Sequence, residues 1–69
     1  MVRESVQSSN IASIGYNEAT STLEIEFLNG SVYQYFDVPK YIYDNLMQAE
    51  SRGQFLAQNI KGVYRYSKI

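Results

Sequence analysis

Between Thr22 and Leu28 apolar and polar residues alternate, with Leu23, Ile25 and Phe27 on one side of an extended chain and Glu24 and Glu26 on the other. A period of two marks a half-buried β-strand, because successive side chains of a strand point to opposite faces. Asn29-Gly30 follows, a strong short-range hairpin signal. Ser31 to Phe36, rich in Val, Tyr and Phe, reads as the return strand. Upstream, Ile11 to Tyr16 reads as a further strand and Asn17 to Ser21 has turn composition. Residues 1–9 are polar apart from Val2 and Val6 and read as a loop or a short edge strand.

Two hairpin registers compete. A two-residue turn would pair Phe27 with Val32 and Ile25 with Gln34, placing Gln34 in the core at a desolvation cost on the order of 1–3 kcal/mol. A three-residue loop with Gly30 as a left-handed bulge shifts the pairing by one and flips every side chain, so that Tyr33 and Tyr35 join Leu23, Ile25 and Phe27. The cost of Gln34 favours the bulge.

Asp37-Val38-Pro39 stops the strand, and proline suits a helical first turn, with Asp37 placed to favour the helix dipole. Ile42, Leu46 and Ala49 recur at i, i+4 and i+7, with Tyr43 and Met47 alongside, predicting an amphipathic helix of about three turns. Ser51 and Gln54 have capping-box spacing, so a second helix begins near Arg52, with Phe55, Leu56 and Ile60 as its apolar stripe. Gly62 sits where a left-handed C-terminal cap is expected, whereas Gly53 serves either close packing or a sharp bend. Val63 to Ser67 reads as a final short strand. The predicted fold is α+β: a small antiparallel sheet with two short helices packed on one face, in the order β-β-β-α-α-β.

With 69 residues the chain is expected to form one domain over 1–69. Hydrophobic residues at 45% and charged residues at 19% indicate a folded domain. Histidine and cysteine are absent, which removes Ser/His and Cys/His nucleophile pairs, thiol redox centres and zinc clusters. Neither a catalytic site, a cofactor nor a metal is expected. The apolar runs are too short for a signal peptide or a membrane span, and a cytoplasmic protein without membrane contact is expected.

Net charge is −1, unevenly spread. Residues 1–50 carry all seven acids against Arg3 and Lys40, a net −5, and residues 51–69 carry Arg52, Lys61, Arg65 and Lys68 with no acid, a net +4. Such asymmetry marks either a face that meets an anion or a C-terminal segment folding back onto acidic strands. Six of the seven tyrosines form Tyr-Xaa-Tyr pairs: Tyr33/Tyr35, Tyr41/Tyr43 and Tyr64/Tyr66. On a strand such a pair points to one face and offers rings on which bases stack; on a helix it does not. The plain alternative is that tyrosines fill the rim of a small core with their hydroxyls toward water. Lys61, Tyr64, Arg65, Tyr66 and Lys68 interleave cations with rings, a combination suited to single-stranded nucleic acid, although edge strands also carry Lys and Arg to prevent aggregation. Glu24 and Glu26 read as solvent-face residues, Ser8-Ser9 as turn hydrogen-bonders, and Asn29-Gly30-Ser31 as a tight turn despite its sequon spacing.

These residues resemble the KTSC domain, a family named for the C-terminus of certain lysyl-tRNA synthetases. The pattern runs through Val6, Ser8-Ser9, Ile14-Gly15-Tyr16, Leu23, Ile25, Phe27, Gly30, Tyr33, Tyr35 and Val38-Pro39. Leu46, Ala49, Ser51, Gly53, Phe55, Asn59-Ile60-Lys61 and Tyr64 complete it. The resemblance spans nearly the whole chain and implies a free-standing bacterial or phage member. It carries no catalytic residues, and its synthetase context implies a link to RNA. The expected function is therefore a non-catalytic module that binds RNA or single-stranded nucleic acid. Lys61, Tyr64, Arg65, Tyr66 and Lys68 would form the strip, with Tyr33 and Tyr35 as a second platform, and four or so phosphate contacts would make binding salt-sensitive. The alternative is a protein-interaction or self-association domain that uses an exposed strand at Val63–Ser67 or near residues 2–9.

Overall fold

Alternation along Thr22–Leu28 produces the central strand of a five-stranded sheet in a computed structural model that describes residues 1–69. The elements are β1 (Arg3–Ser5), β2 (Ile11–Asn17), β3 (Thr22–Phe27), β4 (Val32–Tyr35), α1 (Lys40–Gln48), α2 (Arg52–Asn59) and β5 (Tyr66–Lys68). The strands lie in the order β1-β2-β3-β4-β5 with every neighbouring pair antiparallel. The α+β class with two helices stands. The additional strand is β1: of the two readings of residues 1–9, the short edge strand is the one realised.

The hairpin takes the bulged register. Leu23 lies opposite Tyr35 and Ile25 opposite Tyr33. The Gly30 N–H donates to the Phe27 carbonyl at 2.9 Å, and Gly30 has φ +91°. An L-residue is disfavoured in this left-handed conformation, so Gly30→Ala is expected to cost about 1–2 kcal/mol. Urea unfolding would register the loss, and an unchanged midpoint would contradict the bulge.

Residues opposite one another in an antiparallel pair share a face, which puts Ile14, Tyr16, Leu23, Ile25, Tyr33 and Tyr35 together. Onto this face pack Leu46 of α1, Leu56 of α2, Ile60 just beyond α2 and Val38 from the preceding loop, and with Ile11 these complete the buried core. Gly53 is where α2 meets the Ser8–Asn10 loop: a Cβ there would lie 2.6 Å from Asn10 Oδ1, so close packing is its role. The Ser51 hydroxyl accepts the Gln54 N–H at 3.2 Å and caps α2 as its spacing predicts. Gly62 has φ +77°, the left-handed conformation expected of it.

Three expectations change. Pro39 is the residue before α1 and stays extended, so the helix runs for 9 residues and ends before Ala49. Asp37 adopts φ +58° and its carboxylate accepts from Arg65 at 2.9 Å, so its partner is a side chain from the chain's far end. The strand expected over Val63–Ser67 begins only at Tyr66. The N–H groups of Val63 and Tyr64 both donate to the Ile60 carbonyl, which keeps the chain wound until Arg65, whose carbonyl accepts the Phe36 N–H and starts the run beside β4.

The opposite sheet face is polar, yet Glu24 is only 7% exposed there. Arg3 Nη1, reaching from β1 across Gly15 of β2, donates to it at 2.7 Å and Gln34 Nε2 of β4 donates at 2.9 Å, which satisfies a carboxylate that reads as an ordinary solvent-face residue in sequence. The Ser8 hydroxyl accepts the Asn10 and Ile11 N–H groups, the turn role expected of it.

Candidate functional site

The helices cover only part of the apolar face. Toward β4 and β5 the sheet is left open and forms a groove of about 790 Å³. Its floor is Phe27, Tyr33, Tyr35 and Tyr66; its walls come from the Ser9–Asn10 loop, the Leu28–Ser31 turn, and Lys61-Gly62 after α2. The two loops are tied together by the Leu28 N–H donating to the Asn10 carbonyl at 2.9 Å.

Each aromatic side chain arrives for a local reason. The bulge at Gly30 turns Tyr33 and Tyr35 to the face of Phe27, and Phe27 meets Tyr33 edge-on at 5.7 Å and 86°. β5 lies beside β4 with Tyr66 opposite Tyr35 and Lys68 opposite Tyr33, so both side chains leave the sheet on the groove side. Tyr66 lies 5.8 Å from Tyr33 and 6.0 Å from Tyr35, tilted by 43° and 40°. Tyr35 is buried, whereas Tyr66 is 62% exposed. Burial first, then the nearby phenols of Tyr33 and Tyr66, push the Tyr35 hydroxyl above its ordinary pKa and keep it a neutral hydrogen-bonding group.

Lys61 follows the end of α2, where a cation is favoured by the helix dipole, and its Nζ stands 5.4 Å from the Phe27 ring centre. The ion pairs of the molecule engage Arg3, Lys40 and Arg65, which leaves Lys61 and Lys68 without a carboxylate partner. No acidic residue lines the groove. Glu24 and Glu26, which alternate with the core residues of β3, lie on the opposite face, where Arg3 reaches both.

The expected strip divides. Tyr33, Tyr35, Tyr66 and Lys61 converge on the groove, and Lys68 stands on the same face. Arg65 is drawn off: it pairs with Asp37 and lies 5.3 Å over the Phe36 ring, outside the lining. Tyr64 belongs to the turn and packs half-buried against the core, so Tyr64/Tyr66 is not a strand pair. Of the Tyr41/Tyr43 pair, Tyr41 is exposed and Tyr43 stacks on Tyr16 at 5.0 Å and 12°, in keeping with the expectation that the two form no platform. Sequence reasoning missed Ser9, Asn10, Leu28, Asn29 and Ser31 as wall residues and took Phe27 only as core. The bulged register already brings Phe27 beside Tyr33, a signal that could have found it.

No helix is long and apolar enough to cross a membrane, and no three His, Cys, Asp or Glu side chains cluster to hold a metal ion. The chain is similar to a KTSC domain protein from Yersinia pestis known from its crystal structure, with 43% identity and a TM-score of 0.94 over 99% of this chain and 96% of that one. A protein of Stutzerimonas stutzeri is 39% identical over 70 residues, covering 100% of this chain and 99% of that protein. A lysine–tRNA ligase of Nostoc punctiforme is 40% identical over 63 residues, which cover 91% of this chain but only 11% of the ligase. The chain thus spans about a tenth of the length of the ligases it matches. The family model of the KTSC domain matches residues 7–66, and with this match and the shared fold the chain belongs to the KTSC domain family.

Proposed function

We propose that the protein is a non-catalytic module that binds RNA or single-stranded nucleic acid in the groove between the β3–β4 turn and β5. The carrying observation is the convergence of Tyr33, Tyr35 and Tyr66 with Lys61 in a groove that no carboxylate lines. Rings supply stacking worth roughly 1–3 kcal/mol per base, and the unpaired ammonium groups of Lys61 and Lys68 supply phosphate contacts. Similarity to a segment of lysine–tRNA ligases supports RNA as the nucleic acid.

Arg65 pairs with Asp37 and Arg52 donates to the Met47 carbonyl, so Lys61 and Lys68 remain and the phosphate contacts number about two rather than four. Binding of a short single strand is therefore expected to show a log–log salt slope near −1.4, about −0.7 for each phosphate neutralised. A slope near zero would remove the phosphate contacts from the reading. The open edges of β1 and β5 support a second reading, pairing with a strand of a protein partner or of a second copy. Both edges are only 3 residues long and β5 carries Lys68, features that disfavour edge pairing, so nucleic acid is the preferred ligand.

A further inference from the structure

The groove reads as a cup rather than a platform. Successive stacked bases of a single strand lie nearly parallel, so a run of them needs a row of coplanar rings. Tyr66 is tilted 43° from Tyr33 and 40° from Tyr35, and Phe27 stands 86° from Tyr33. A parallel stack of bases can lie flat on one of these rings at most. The near-parallel aromatic pair of the molecule, Tyr16 and Tyr43, is stacked on itself, and the Tyr16 hydroxyl donates to the Val38 carbonyl.

We infer that the groove takes one splayed-out nucleotide of a single strand, its base seated in the cup of Tyr33, Tyr35, Tyr66 and Phe27 and its phosphate on Lys61. This deepens the proposed function and rests on it. A volume of about 790 Å³ is that of a pocket for a single drug-sized ligand, the size class of one nucleotide. Besides the rings, three separate segments line it, the Ser9–Asn10 loop, the Leu28–Ser31 turn and Lys61-Gly62, a boundary that suits a confined ligand better than a flat multi-base footprint. The Asn29 side-chain Oδ1 accepts the Ser31 N–H at 2.9 Å, which leaves the Nδ2 amide group of Asn29 as a donor at the rim for the edge of an inserted base. One cation, Lys61, lines the groove, matching one phosphate. Unpaired bases that can be splayed out are the usual target of RNA recognition, because a base inside a helix presents no face to a ring.

The test is an amide-shift titration of ¹⁵N-labelled full-length protein at low salt with adenosine and uridine 5′-monophosphates, the dinucleotides ApA and UpU, the corresponding hexanucleotides and a fully paired RNA duplex. The expected result is shifts at Tyr33, Tyr35, Tyr66 and Lys61 already with mononucleotides, less than about a tenfold affinity gain from dinucleotide to hexanucleotide, and no groove shifts with the duplex. Lys61→Ala should weaken mononucleotide phosphates but leave the corresponding nucleosides unaffected. Hexanucleotide binding without any mono- or dinucleotide response would overturn the cup while leaving the nucleic-acid reading standing. Silence with every ligand would overturn both.

Discussion

Replacing Leu46 by alanine is expected to cost about 2–5 kcal/mol of folding stability, the range for a large-to-small change in a core that relaxes only partly around the gap. Leu46 is fully inaccessible and is the one fully buried side chain of α1, so it is the centre of the contact by which that helix docks on the sheet, with Ile42, Tyr43 and Met47 packed beside it. A chain of this size is held together by roughly 3–10 kcal/mol in total, so the loss is about a fifth or more of what is available. Urea unfolding should show a lower midpoint with an unchanged slope. Tyr41→Ala on the same helix is the control: Tyr41 is 64% exposed, and its removal should change stability by no more than about 0.5 kcal/mol. Equal midpoints for the two variants would mean that α1 is not docked through Leu46.

Tyr66→Ala is expected to weaken single-stranded RNA binding by about 5- to 150-fold, the equivalent of losing one base–ring stack of 1–3 kcal/mol. The position suits the test because Tyr66 is largely exposed in a three-residue edge strand, so little core packing is lost with it. Tyr35 would be a poor choice, since it is buried in the core cluster and its removal would confound binding with folding. Tyr66→Phe keeps the ring and should keep affinity within about threefold. If Tyr66→Ala binds as tightly as the parent protein, stacking at Tyr66 is not the source of affinity. If the phenylalanine variant falls as far as the alanine one, the hydroxyl rather than the ring carries the contact.

The two variants probe opposite ends of one arrangement. Leu46, Leu56 and Ile60 cover part of the sheet face and leave the β4–β5 end uncovered. A domain this small has too few helical residues to roof five strands, and the bare end carries tyrosines, whose rings bury apolar area while their hydroxyls tolerate water. The same economy that limits the core therefore creates the groove. The negative residues do not spoil it, because strand alternation sends Glu24 and Glu26 to the opposite face and Arg3 holds them there.

Local features were legible in the chain wherever a backbone repeat or a cap dictates them. The alternation of Leu23, Ile25 and Phe27, the bulge at Gly30, the cap at Ser51 and the left-handed Gly62 each depend on neighbours within a few residues, and steric rules acting over that range decide them. The bulged register even placed Tyr33 and Tyr35 on the core face, because the alternative buried Gln34. What sequence spacing did not reveal were contacts between distant segments. Arg65 looked like part of a basic strip, but the return of the chain beside β4 puts it next to Asp37 and Phe36. Tyr64 looked like the partner of Tyr66, but the turn closed on the Ile60 carbonyl leaves it outside β5, half-buried against the core. Glu24 became buried only once β1 brought Arg3 across it. Repeats and caps in the chain were enough to place most of the elements, to favour the bulged register and to pick out the residues able to stack or carry charge. Which of them meet follows only from the packed fold, because strand pairing and loop closure bring together residues that no local period connects.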